Sequence, residues 1–236
     1  MKNVVIFGSS GHGSVVLDCL EREKKYNVVG FIDDFKKKGS KKNGYEILGN
    51  IFDLPEVIEK FNLIGGIVAI GDNWARNLVL EKVVKIAPDF NFISAIHPNA
   101  TIGKDVVIGI GTSIMPGVII NANSVVGDFC MLNTNSSLGH DGYMNDYSSL
   151  APGVCTGGNL LLGKYSAISI GSKVTENISI GAHTVIGAGS LVLEDIPSHT
   201  LSYGSPARFT NNRKPGEKYL NGARDIPKVI NIASNL

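Results

Sequence analysis

Apolar residues along this 236-residue chain follow two different rhythms. Over the first ninety positions, short β-branched and aromatic runs alternate with stretches whose apolar residues recur at helical spacing. Residues 3–7 read as a buried strand, broken by Gly8-Ser-Ser-Gly-His-Gly13, and Val16, Cys19 and Leu20 then predict a helix over 14–23. Residues 28–32 predict a second strand ending in Asp33-Asp34, and residues 66–70 a third ending at Gly71-Asp72. Leu54, Val57, Ile58 and Phe61 form one helical stripe, and Leu80, Val83, Val84 and Ala87 another. Strand and helix alternating three times predict a small parallel α/β sheet. The intervening FKKKGSKKNG, residues 35–44, reads as a solvated basic loop.

After residue 90 the helical rhythm stops and a period of six begins. Counting by sixes from Ile96 to Val192 gives seventeen positions, of which only Thr156 is not aliphatic. The next residue is often glycine, as at Gly103, Gly109, Gly127, Gly139, Gly157, Gly163, Gly181 and Gly187. Ser and Ala cluster two and four places further on. This predicts short parallel strands, each with one inward aliphatic residue, followed by a tight turn at which glycine supplies positive φ. Three hexads make a triangular coil of 18 residues, so the run amounts to a little over five coils, about 25 Å at roughly 4.8 Å per coil. An ordinary sandwich would need irregular loop lengths, and no insertion interrupts this run.

Composition narrows the partners. Lys and Arg total 22 against 21 Asp and Glu, a formal charge of +1, which offers no basic field to nucleic acid or to an anionic membrane. Of the 28 glycines, most lie in the hexad run of residues 96–192 or in the turn at Gly8–Gly13, which explains the excess. Cys19, Cys130 and Cys155 are odd in number and far apart, so they form neither a disulfide framework nor a CxxC metal motif. Cys130 and Cys155 have no neighbouring His and are expected to pack. With no leader-like start and no apolar run near 18 residues, a soluble cytoplasmic protein without membrane insertion is expected.

The unbroken hexapeptide run resembles the left-handed β-helix acyltransferases, as does its exit through Leu193-Glu-Asp-Ile-Pro197 and Gly204-Ser-Pro-Ala-Arg208. Together with Val-Ile-Phe-Gly-Ser-Ser-Gly-His-Gly and Gly30-Phe-Ile-Asp-Asp34, the chain resembles the sialic acid O-acetyltransferase and bacillosamine-pathway N-acetyltransferase family over residues 3–208. The resemblance implies a Rossmann-like α/β nucleotide-sugar-binding domain at 1–90 and an all-β left-handed parallel β-helix at 91–210, leaving a tail at 211–236. It also implies a homotrimer that uses acetyl-CoA and no metal. The expected reaction is N-acetylation of a UDP- or dTDP-linked 4-amino sugar in bacterial surface-glycan biosynthesis.

Acetyl transfer from a thioester to an amine needs a base, and a neutral imidazole suits that role near pH 7. His140-Asp141 fall where the family carries a His followed by an acid, and Asn133 matches a family Asn beside the site. Gly139 is a departure, since relatives often have Asp there. Gly158, Ile170 and Ala188 share the hexad offset of His140 and match positions along which acetyl-CoA lies between neighbouring subunits of relatives. Ser149 stands where some relatives have a cofactor-contacting His. The resemblance assigns substrate binding to Gly11, His12 and Gly13, to Asp33 and Asp34, and to Gly71. A strand-to-helix turn of this kind presents backbone N–H groups to phosphate.

Four other readings compete. Zinc of the gamma carbonic anhydrase type needs three converging ligands, yet His97, His140 and His183 lie at different hexad offsets. NAD is suggested by the spacing from Gly13 to Asp33, but Gly-x-x-Gly-x-Gly is not the dinucleotide fingerprint and about 90 residues are few for two mononucleotide halves. O-acetylation of free sialic acid and a non-catalytic scaffold complete the set. The tail is either a packing arm or a disordered end.

Overall fold

The computed structural model describes residues 1–220. The first unit contains β1 (Lys2–Phe7), α1 (Gly11–Glu23), β2 (Tyr26–Ile32), β3 (Lys41–Lys42), β4 (Tyr45–Gly49), α2 (Leu54–Phe61), β5 (Gly65–Val68) and α3 (Asn73–Ile86). The sheet order is β3-β4-β2-β1-β5, all parallel except β3, which pairs antiparallel with β4. The central β1 buries Val4, Val5, Ile6 and Phe7 completely or nearly so. Alternation along the strand sends Val4 and Ile6 to the cluster shared with α1, and Val5 and Phe7 to the cluster shared with α2. Sequence periodicity missed β3 and β4, because a two-residue strand and a strand beginning Tyr-Glu carry too little apolar pattern. Residues 41–44 of the basic loop therefore belong to a hairpin.

The stripe expected on α3 needs correction. Val84 is exposed, and the buried residues of α3 include Asn73, Arg76 and Asn77 besides Val83. The N-terminal half of this helix docks on the second unit through polar groups, which an apolar pattern cannot register.

The second unit is a three-sided parallel β-helix. Seventeen two-residue strands run from Ala95–Ile96 to Leu191–Val192 without insertion, and each ends on the residue picked out by the period of six. Strands 18 residues apart pair in register, as Ile119 with Ser137 and Ile120 with Leu138, building three parallel sheets. From Ile114 to Val192 every inward position is buried, Thr156 included.

The corner chemistry differs from the expectation. Glycines following the strands do not have positive φ; all fifteen residues at the third place after a strand, from Asp105 to Gly189, do. Asn and Asp fill many of these places because their short polar side chains tolerate the left-handed region. The glycine after the strand serves close stacking instead. A Cβ on Gly139, for example, would collide with the Gly157 carbonyl of the next coil.

One column of left-handed corners is aromatic. Phe129, Tyr147, Tyr165 and His183 stack at centroid spacings of 5.3, 5.1 and 4.8 Å, and His199 continues the stack at 5.0 Å from His183. Stacking offsets the cost of bulky residues at positive φ. Trp74 of α3 sets its edge against Tyr165, and Phe92 meets Phe129, so this column is the seat of the α/β unit. Arg76 locks the contact: Nε donates to Phe129 O at 2.8 Å, Nη1 to Ile70 O at 2.8 Å, and Nη2 to Asn73 Oδ1 at 2.7 Å and Tyr147 O at 3.3 Å. Asn73 donates to Ser166 O at 3.0 Å. At the other side, Cys19 of α1 packs on the β-helix with Sγ 3.8 Å from Ile114 O.

The β-helix closes with an antiparallel hairpin of Thr200–Gly204 and Ala207–Asn212. The beginning of the tail packs back: Gly216 lies on the Trp74 indole, and Leu220 reaches Gly71. Residues 221–236 of the tail lie outside the described residues. No helix among the described residues is long and apolar enough to cross a membrane.

Candidate active site

His140 and Asp141 occupy a corner of the β-helix. Left-handed backbone at Asp141 (φ 55°) turns its carboxylate back on its neighbour, and Oδ2 lies 2.6 Å from His140 Nδ1. Asn123, one coil earlier in the same column, donates from Nδ2 to Asp141 Oδ1 at 3.1 Å. Hydrogen bonds from His140 and from Asn123 hold the Asp141 carboxyl below the usual carboxylate range. With Asp141 ionised, Nδ1 carries the proton and Nε2 is left as acceptor.

The imidazole rests on the next coil. A Cβ on Gly158 would stand 2.5 Å from both Cε1 and Nε2 of His140, so glycine there makes room for the ring. The backbone is pinned as well: His140 O accepts from Asn159 N at 2.8 Å, and Asp141 N donates to Ala122 O at 3.0 Å. The pair itself remains exposed to solvent.

A second feature is a cavity of about 370 Å³ between the two units. His12, Gly71, Asn133, Ser149 and Ile170 line it, together with Tyr219 and Leu220 of the tail. Burial, with the Arg76 guanidinium nearby, pushes His12 down to about 4. His12 therefore enters the cavity as a neutral donor and acceptor at pH 7.

The third feature is the turn after β1. Gly8 turns the chain at φ 97° and α1 begins at Gly11. A Cβ on Gly13 would strike Gly8 O, so this residue is glycine for close packing. Asp33 Oδ2 accepts from Ser9 N at 2.8 Å and Ser9 Oγ at 2.6 Å, which ties the turn to the end of β2. Burial raises the Asp33 carboxyl, but the hydrogen bonds from Ser9 and Phe35 outweigh it and leave it below the usual range. Asp34 accepts from Ile51 N at 3.0 Å and faces Lys82 Nζ at 3.2 Å. Phe7, Gly8, Asp33, Asp34 and Phe35 border a recess of about 70 Å³ at the carboxyl ends of the strands.

The expected corner residues of the β-helix thus fall into two groups. His140, Asp141 and Gly158 share one corner column. Ile170 and Ala188 share another, near Asn133. Hexad offset fixes a place within a turn, whereas the position modulo 18 decides which corner it belongs to. Asn133 is consequently not beside His140 within one chain and lines the interdomain cavity instead.

Other expectations fare differently. Cys130 is buried, its thiol pushed up to about 11 by burial, whereas Cys155 points outward from its strand and does not pack. Among the described residues no three His, Cys, Asp or Glu side chains are placed to hold a metal ion. Sequence reasoning did not find Ser9, Asn123, Arg76 or Tyr219. Asn123 lies 18 residues before Asp141, a spacing that was available as a signal.

A Rossmann-like unit with a glycine-rich strand-to-helix turn, mounted on a hexapeptide β-helix that displays a carboxylate-paired imidazole, defines a sugar acyltransferase class. Residues 3–83 match the family described as PglD N-terminal domain, and residues 99–134 match the bacterial transferase hexapeptide family (six repeats). The chain is 33% identical to UDP-N-acetylbacillosamine N-acetyltransferase of Bacillus subtilis over 49% of its length, spanning about half (52%) of that relative. It is 32% identical to GDP-perosamine N-acetyltransferase of Escherichia coli O157:H7, over 64% of this chain and 69% of that one. PerB from Caulobacter crescentus, solved with CoA and GDP-perosamine, superposes with a TM-score of 0.82 at 31% identity, covering 89% of this chain and 98% of that one. The acetyltransferase domain of PglB from Neisseria gonorrhoeae, solved with acetyl coenzyme A, gives a TM-score of 0.81 at 28% identity, with 89% and 99% covered. The chain belongs to this family of left-handed β-helix sugar N-acetyltransferases.

Proposed function

We propose that the protein transfers an acetyl group from acetyl-CoA to the 4-amine of a nucleotide-linked sugar, with His140 as general base. The observation that carries this reading is the His140–Asp141 pair seated on Gly158. The amine attacks the thioester carbonyl, a C–N bond forms and the C–S bond breaks. His140 Nε2 takes the amine proton while Asp141 supports the imidazolium, and the CoA thiolate leaves and is protonated.

In this reading residues 1–90 hold the nucleotide, residues 91–210 carry out the transfer, and Gly11, His12, Gly13, Asp33, Asp34 and Gly71 contact the nucleotide sugar. The named relatives act on UDP- and GDP-linked sugars. The base therefore ranges beyond the UDP or dTDP expected from the sequence. These relatives favour N-acetylation over O-acetylation of free sialic acid.

The trimer implied by the family resemblance completes this site. Threefold packing of β-helices apposes the His140–Gly158 column of one copy to the Ile170–Ala188 column of the next, and acetyl-CoA lies in the groove between them. Asn133 and Ser149 in the interdomain cavity then face His140 of the neighbouring copy. Purified protein given acetyl-CoA and a panel of UDP-, dTDP- and GDP-linked 4-amino sugars is expected to release free thiol with at least one of them. His140→Ala is expected to abolish release, and unchanged turnover in that variant overturns the assignment. A monomer in light scattering overturns the intersubunit groove.

A further inference from the structure

Thr156 is the one inward position of the seventeen that carries a hydroxyl, and it stands at the one pair among the seventeen strands that is joined at a single position. Between Ala95 and Val192, strands 18 residues apart pair at two positions, except that Cys155–Thr156 pairs with Ser137–Leu138 at a single position, Ser137 with Cys155. Elsewhere the residue after a strand donates its N–H to the backbone carbonyl one coil on, as Gly157 does to Val174 O at 2.8 Å. Gly139 instead donates to the side chain of Thr156, with N 3.1 Å from Oγ1. That hydroxyl passes its own proton toward Ser137 O at 3.3 Å, so it is used as both acceptor and donor in a buried site.

The consequence falls on the residue that follows Gly139, which is His140. Gly139 O is held from the opposite side by Ser124 Oγ at 2.8 Å, a bond that recurs at other corners, as from Ser166 to Gly181 O and from Ser172 to Gly187 O. The grip of Thr156 on Gly139 N is peculiar to this corner. Gly139 is thus clamped between two hydroxyls, one common to the fold and one not.

We propose that Thr156 is a positioning residue for the reaction: its hydroxyl captures the Gly139 N–H and sets the direction in which His140 leaves the corner. An aliphatic residue at 156 would restore the regular ladder and rotate the peptide that carries the imidazole. Catalysis is sensitive to such shifts, since a misplacement of about 1 Å costs on the order of a hundredfold in rate. The inference rests on the reading of His140 as the base.

The test compares Thr156→Val with Thr156→Ser in the full chain, using thiol release with the best sugar of the panel. Val matches the shape of Thr and removes only the hydroxyl, so melting temperature is expected to hold or rise. Its kcat is expected to fall roughly ten- to a hundredfold with KM for acetyl-CoA within about twofold, and Ser is expected to recover most of kcat. Wild-type kcat in the Val variant, or a Ser variant as impaired as Val, overturns the proposal. Loss of turnover in His140→Ala with none in Thr156→Val overturns the positioning role alone. Retained turnover in His140→Ala overturns the base reading and the positioning role with it.

Discussion

His140 Nδ1 and Asp141 Oδ2 are 2.6 Å apart although the residues are adjacent in sequence, a contact made possible by the left-handed backbone of Asp141. In an extended strand neighbouring side chains point to opposite faces. The corner thus converts a dipeptide into an oriented acid–imidazole pair.

Asp141→Asn keeps the shape but removes the charge that fixes the tautomer. We expect kcat to fall about tenfold or more with little change in KM for either substrate, measured by steady-state thiol release. Because Asp141 titrates below the usual carboxylate range, the pair stays intact above that range and is lost only as pH falls through the lowered value. A carboxyl NMR titration of Asp141 checks this; in Asn123→Ala, which lacks one of its two hydrogen bonds, the value should move up.

Gly158→Ala tests the platform beneath the ring. The added methyl meets His140 Cε1 and Nε2 at 2.5 Å, so the ring must swing away. A loss of kcat of about tenfold or more is expected, with the melting temperature less affected than turnover.

Arg76 is buried with carbonyl and amide oxygens as its partners, and among the described residues it forms no ion pair. Arg76→Ala leaves a cavity and unsatisfied carbonyls where the two units meet, an expected loss of about 2–4 kcal/mol. Arg76→Lys should recover little, because an ammonium cannot reproduce the fork. Denaturant unfolding of the two variants separates these outcomes.

His12 gives a pH signature of the fold. Its value is lowered from 6.5 to about 4 by burial and by Arg76, so between these values the unfolded chain binds a proton that the folded chain refuses. Stability is then expected to fall as pH drops from about 6.5 toward 4, and His12→Gln should flatten that slope. Melting temperatures at pH 7 and pH 5 provide the measurement.

Much of this was legible in the sequence, for reasons that differ by element. The hexad run was readable because every strand reports its inward residue at a fixed interval, and Thr156 declared itself as the exception. β4 and the docking face of α3 were not readable, since Glu46 in the strand and Asn73 and Arg76 in the helix break the apolar patterns by which elements are recognised. The role of the corner glycines was misread because a linear repeat shows which residue is small without showing what stacks above it.

Local spacing along the chain is enough to set the two-unit plan, the period of the β-helix and the candidacy of His140-Asp141. Which candidates meet depends on the coiling of the chain in space. It put His140 with Gly158 and Asn123, gave Asn133, Ser149 and Ile170 to a different cavity with His12 and Gly71, and joined the units through Arg76. The physical reason is the coil itself: residues six apart share a place in the turn, but only residues eighteen apart share a corner, and contact is made by corners.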